Sequence, residues 1–354
     1  MMGELRRRLP LVAAGCALVM AACLAEPPEG APPDPGRAPL GAGTFEEVSE
    51  FGTNPGGLKM FRYVPPTASA DAALVVALHP CSMDATGYRR AGWEELADEH
   101  GFYVLYPEQQ LANNPIRCFN WAGEGTDPPF GTRDEANLLR GQGENQSITE
   151  MVQRMLGDFP IDGGSVFVSG QSSGGAQAAI MLATWPDLFA AGASIGGIPF
   201  RCATTAAGSV SCMNPGVDRS PTEWGDLVRA AYSEHVGPHP RFSIWYGTAD
   251  MLVAPRNAVE LVEQWTDVHG VDAEPDLEDV VDGFPHFEHR DMAGRAVVEL
   301  YEVSGAPSTT FVDPEVGCGE VAGGFMDFDI CSACRIAEFF GIAGCDGGGD
   351  GCHI

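Results

Sequence analysis

SVFVSGQSSGGAQAAIMLATW, residues 165–185, is the stretch whose reading decides the fold. Ser165–Ser169 is short, apolar and rich in Val and Phe, as a buried strand is. Ser173–Trp185 is a run of small and apolar residues of helical length. Between them stands Gly170-Gln171-Ser172-Ser173-Gly174. A G-x-S-x-G between a strand and a helix has the context of a nucleophile elbow. The turn is so sharp that side chains at the flanking positions would strike the neighbouring strand and helix. Ser172 Oγ then projects above the strand end at the helix N-terminus, where free N–H groups favour a developing oxyanion. A chance pentapeptide in a chain with 45 glycines is the bland alternative. The flanking strand and helix argue against it.

Similar apolar runs recur on both sides: Leu74–Leu78, Phe102–Tyr106, Ala190–Ile195, Phe242–Tyr246 and Val297–Val303. They are continuous more than alternating, which marks strands of a parallel sheet covered on both faces. Helical segments lie between them, Asn257–His269 and Ile148–Phe159 among them. The second opens with Ser147-x-x-Glu150, a capping box. In Phe45–Val64, Asn54-Pro55-Gly56-Gly57 is turn chemistry between strand-like runs and predicts an antiparallel edge hairpin. The expected class is α/β, with a mostly parallel central sheet, helices on both faces and an N-terminal antiparallel hairpin.

Two further segments carry site chemistry. The loop after Leu74–Leu78 reads His79-Pro80-Cys81-Ser82, and the backbone N–H of Cys81 is the candidate second oxyanion donor beside that of Ser173. Cys81 is also expected to pair with Cys118, through its side chain. Phe242–Tyr246 leads into Gly247-Thr248-Ala249-Asp250, so Asp250 stands just past a strand end, where it can orient a histidine. A surface Asp in a turn is the alternative.

Taken in order, FGTNPGGLKM (51–60), LHPCSMDATGY (78–88), GFYVLYPEQ (101–109), NPIRCFNW (114–121), the elbow run, YGTAD (246–250) and LVEQWTDVHG (261–270) resemble the polyhydroxybutyrate (PHB) depolymerase-like esterases. GCGE, FMDFDICS and IAEFFGI extend the resemblance to about residue 342. It implies an α/β-hydrolase fold related to feruloyl and acetylxylan esterases, with Ser172 as nucleophile, Asp250 as triad acid and the oxyanion hole at Cys81 and Ser173. It also places Asn120 and Trp121 near a substrate cleft, with a buried structural Trp as the alternative.

One position departs from the family. Its catalytic histidine lies in a Gly-rich loop after the last strand. Here Val297–Val303 is followed by SGAPSTT, and Ser308 holds that position. No histidine occurs between His289 and His353. A serine hydroxyl does not accept a proton near neutral pH, as an imidazole does. His286 and His289 in FPHFEHR, His353 near the C-terminus and His79 are the replacements to examine, each with a structural histidine as its bland reading. Two expectations follow. One is a serine ester hydrolase acting on short-chain polyester or on acyl or feruloyl groups of polysaccharide. The other is a catalytically impaired homologue acting as an envelope-anchored binding protein.

The ends of the chain read as address and tether. Arg6, Arg7 and Arg8 precede an apolar run from Leu9 to Ala22, the form of a secretory signal. Ala21-Ala22-Cys23 resembles a lipobox, although Met20 is unusual there; plain secretory cleavage is the alternative. The expected division is a signal at 1–22, an anchor Cys and Pro/Gly-rich tether at 23–44, the esterase domain at 45–342 and a Gly/Asp/Cys-rich tail at 343–354. An exported chain with this many cysteines carries disulfides. Cys202–Cys212 and Cys345–Cys352 are the candidate local staples. Cys331, Cys334, Cys345 and Cys352 are also zinc-type residues, but export and irregular spacing favour disulfides, and neither metal nor cofactor is expected. The chain carries 20 Lys and Arg against 49 Asp and Glu, a net charge of −29. That excludes a nucleic-acid partner and electrostatic attraction to anionic lipid, which leaves an ester substrate and a membrane reached only through Cys23.

Overall fold

The computed structural model describes residues 41–122 and 135–345. The leader, Cys23, most of the tether and the tail with Cys352 and His353 lie outside the described residues.

Ten strands form one sheet: β1 (Thr44–Val48), β2 (Lys59–Val64), β3 (Ala72–Leu78), β4 (Tyr103–Glu108), β5 (Ile161–Gln171), β6 (Ala191–Ile195), β7 (Arg241–Gly247), β8 (Leu277–Val281), β9 (Phe284–Arg290) and β10 (Ala296–Val303). Their order is β1-β2-β4-β3-β5-β6-β7-β10-β9-β8. The six strands from β4 to β10 run parallel. β1 and β2 close one edge antiparallel, as the turn residues predict. β9 and β8 close the other edge antiparallel, an addition to the expected sheet. There the run FPHFEHR, which carries His286 and His289, is itself a strand.

The central strands bury both faces, so period-two alternation separates two cores rather than core from solvent. Leu74, Val76 and Leu78 of β3 face one cluster, and Val75 and Ala77 face the other. Among the described residues the helices are α1 (Ala85–Tyr88), α2 (Trp93–His100), α3 (Gly143–Asp158), α4 (Ser173–Thr184), α5 (Ala206–Met213), α6 (Pro221–Ala231), α7 (Arg256–His269) and α8 (Ser332–Phe340). Every residue of α4 is buried, which explains its small, uncharged sequence. None of the helices is long and apolar enough to cross a membrane.

Two expectations are corrected. α3 starts at Gly143, one turn earlier than the expected start, so Ser147 and Glu150 are not a capping box. Glu150 instead accepts hydrogen bonds from Thr53 Oγ1 and the Asn54 N–H, and Ser147 Oγ accepts from the Gly56 N–H. The pair therefore docks the β1–β2 turn onto the helix. Cys345 pairs with Cys334 rather than with Cys352, and Cys318 pairs with Cys331. These bonds tie α8 to the chain around a small parallel pair, β11 (Thr310–Val312) and β12 (Phe325–Asp327). Cys81–Cys118 and Cys202–Cys212 form as expected.

Candidate active site

Ser172 sits where β5 turns into α4, with φ 53° and ψ −116°. That conformation is strained for any residue with a Cβ and persists only where the surroundings dictate it. The surroundings here are backbone. A Cβ on Gly170 would stand 2.3 Å from the Gly174 carbonyl oxygen, and one on Gly174 would stand 2.2 Å from that of Leu78. The Ser172 N–H donates to the Ile195 carbonyl at 2.8 Å. The elbow is thus wedged between the ends of β3 and β6, and Gly174 brings the start of α4 against the loop that carries Cys81.

That loop is held from beneath. The buried His79 ring engages both nitrogens: Nδ1 meets the Pro80 carbonyl at 2.7 Å, and Nε2 accepts from the Gln109 N–H at 2.9 Å. Burial lowers its pKa to about 4, so the ring is neutral and structural. The Ser82 N–H donates to Ile116, next to the Cys118 segment that the disulfide joins. Asn120 donates to Glu144 through its N–H and Nδ2 and accepts from Asn114, while Trp121 is 5% exposed and joins the core. Both lie in the packed wall beneath the loop.

Asp250 is 5% exposed. Its Oδ1 accepts from the N–H groups of Leu252 at 2.8 Å and Val253 at 2.9 Å. Burial raises its pKa, against these two bonds and a contact from the Ser308 hydroxyl. The loop carrying Ser308 rests on the loop carrying Asp250. The Ala249 N–H donates to Ala306, the Gly305 N–H donates to Thr248 Oγ1, and a Cβ on Gly247 would strike the Ala306 carbonyl at 2.2 Å. Thr310 Oγ1 donates to Gln171 Oε1 at 2.9 Å, which fastens the same loop to the residue before Ser172.

Gly196 is where the Asp250 and Ser308 side chains meet, next to the residue that anchors the Ser172 backbone, and sequence reasoning missed it. A Cβ there would stand 3.5 Å from Asp250 Oδ2 and 4.0 Å from Ser308 Oγ. It follows Ile195, which anchors Ser172, and it adopts φ +57°. The signal was a Gly-Gly pair directly after a strand.

No imidazole enters this cluster among the described residues. His286 and His289 lie on β9, four strands from β5, a separation of about 19 Å at the usual strand spacing. His235, His239 and His269 line a cavity with Arg241, which starts β7, at the opposite end of the sheet from Asp250. His100 ends α2 beside Glu99.

Residues 58–275 match the family Esterase PHB depolymerase. Poly(3-hydroxyalkanoate) depolymerase C of Paucimonas lemoignei is 45% identical over 301 residues, 84% of this chain and 70% of that protein. Feruloyl esterase B of Talaromyces stipitatus is 33% identical over 65% of this chain and 63% of its own length. Among solved structures, the acetyl xylan esterase from Aspergillus awamori superposes with a TM-score of 0.70 at 25% identity, covering 85% of this chain and all of that one. The chain belongs to the Esterase PHB depolymerase family, a family of ester hydrolases.

Proposed function

We propose that this chain is an exported serine ester hydrolase that works through an acyl-enzyme on Ser172 and turns over slowly, because Ser308 occupies the place of the general base. Its substrates are short-chain polyesters or acyl and feruloyl esters, the chemistry named for its relatives. The observation that carries the reading is the strained elbow of Ser172, held at φ 53° with its glycine neighbours in backbone contact. Strain of this kind is retained where a nucleophile must be presented.

In the reaction, Ser172 Oγ adds to the ester carbonyl carbon, and the carbonyl oxygen takes the negative charge. The N–H groups of Cys81 and Ser173 stabilise it. Collapse expels the alcohol and leaves the acyl group on Ser172; water then releases the acid. The Ser172 proton must leave during attack and return to the alcohol. An imidazole at position 308 would carry it, oriented by Asp250. With Ser308 there, water is the acceptor, and turnover falls by about 10⁴–10⁶ against an intact triad.

Disulfides support export, because they persist in oxidising compartments. Anchoring through an acylated Cys23 belongs to the same proposal. A second reading rests on the Ser308–Asp250 contact: a site disarmed at its base that retains an ester-bearing ligand without turning it over. Hydrolysis of a short-chain nitrophenyl ester by wild type and Ser172→Ala separates the two. Turnover that depends on Ser172 supports the hydrolase, and equal rates support the binding protein.

A further inference from the structure

We infer that the β8–β9–β10 edge of the sheet carries a binding site for a divalent transition-metal ion of the zinc class, ligated by His286, Glu288 and Glu299.

The three side chains share one face. Glu288 and Glu299 stand opposite each other on β9 and β10, and His286 lies two residues from Glu288, opposite Tyr301. One ligand atom from each of the three lies within 4.8 Å of the other two. His286 and Glu299 are each 4% exposed, whereas Glu288 is half-buried and leaves a side open for water.

His286 Nε2 is buried and has no hydrogen-bond partner. It faces Glu299 Oε2 at 3.5 Å. That gap is poor for a hydrogen bond and matches the separation of two ligands about 2.0–2.1 Å from one tetrahedral ion. The outer partners are also in place. Asp279 Oδ1 lies 2.8 Å from His286 Nδ1; a carboxylate there accepts a hydrogen bond from Nδ1–H, which keeps the proton on Nδ1 and leaves the Nε2 lone pair facing the two glutamates. Ser243 Oγ donates to Glu299 Oε1, leaving Oε2 free to face the imidazole, and Trp245 Nε1 in turn donates to Ser243 Oγ. Arg290 holds Glu288 Oε2 and leaves the other oxygen. The His286 ring is further fixed against Tyr301, at 4.4 Å between centroids. Two carboxylates and one imidazole suit Zn²⁺ or Mn²⁺, with water completing the shell. The ion would pin β9 to β10 and take no part at Ser172, four strands away.

The test is Zn²⁺ titration of the chelator-treated protein by calorimetry, with the thermal unfolding midpoint followed in parallel. The expected result is one Zn²⁺ per chain and a rise in midpoint with Zn²⁺ concentration. Glu288→Gln, at the open rim, should keep the metal-free midpoint and weaken Zn²⁺ binding by about tenfold or more. Co²⁺ in place of Zn²⁺ should give a visible absorption band in wild type that Glu288→Gln loses. Absence of binding at millimolar Zn²⁺, or equal affinity and an equal Co²⁺ band in Glu288→Gln, overturns the assignment.

Discussion

Ser308 lies against the carboxylate of Asp250, and its hydroxyl helps to hold that buried group charged. The two loops are fastened by backbone hydrogen bonds, so position 308 is fixed relative to Asp250 independently of its side chain. Among the described residues, Asp250 therefore has no imidazole to orient. Asp250→Asn should change the esterase rate of the wild type little. In a Ser308→His background the same change should cost about 10²–10⁴ in kcat. Rates of the four proteins of this double-mutant cycle check it; additive effects would count against the coupling.

The elbow makes a stability prediction. A methyl group at Gly174 would stand 2.2 Å from the Leu78 carbonyl oxygen, a backbone atom that cannot swing aside. Gly174→Ala should destabilise the protein by about 1–3 kcal/mol, the usual cost of forcing extra atoms into a packed site. Gly163→Ala, with nothing near its Cβ, is the control. Urea unfolding midpoints of the two variants test the difference.

His79 gives a pH prediction. Its folded-state pKa is lowered from 6.5 to about 4, first by burial. The folded protein then binds fewer protons than the unfolded chain between these values, so stability falls as pH drops from about 6.5 to about 4. His239 and His269 are lowered to about 4 as well and act in the same direction. Glu95 and Glu144 are raised to about 7 by burial and act oppositely over their own range, losing stability as pH rises. The measurement is therefore a difference: the slope of unfolding free energy against pH in wild type minus that in His79→Gln. It should be positive, up to about 1.4 kcal/mol per pH unit, one proton's worth. Equal slopes would contradict a neutral buried His79.

The disulfide pattern is open to mass spectrometry. Peptides cleaved without reduction should join Cys334 to Cys345 and Cys318 to Cys331. A Cys345–Cys352 peptide would contradict the arrangement around α8.

Much of this architecture is legible in the chain. The parallel strands are readable because burial on both faces demands unbroken runs such as LVVAL in β3. The elbow is readable because only glycine fits at 170 and 174. Other features depend on tertiary placement. FPHFEHR lacks the unbroken apolar run of the central strands, and its pairing with β10 on one side and β8 on the other decides its state. Ser147 and Glu150 match a capping box by spacing, but the start of α3 is set by Asn137 Oδ1, which accepts from the Glu144 N–H. Cys345 lies near both Cys334 and Cys352 in sequence, so spacing alone does not choose. Position 308 was found by alignment with a family pattern; its contact with Asp250 required the fold.

The central claim is that this site, among the described residues, lacks one imidazole and little else. The most direct test is the rate of short-chain nitrophenyl ester hydrolysis by Ser308→His, compared with wild type, Ser172→Ala and the Ser172→Ala/Ser308→His double variant. The account predicts a gain over wild type of about 10²-fold or more, abolished in the double variant. No gain in a folded Ser308→His protein, or a wild type that already turns over at the rate of an intact triad, would contradict it.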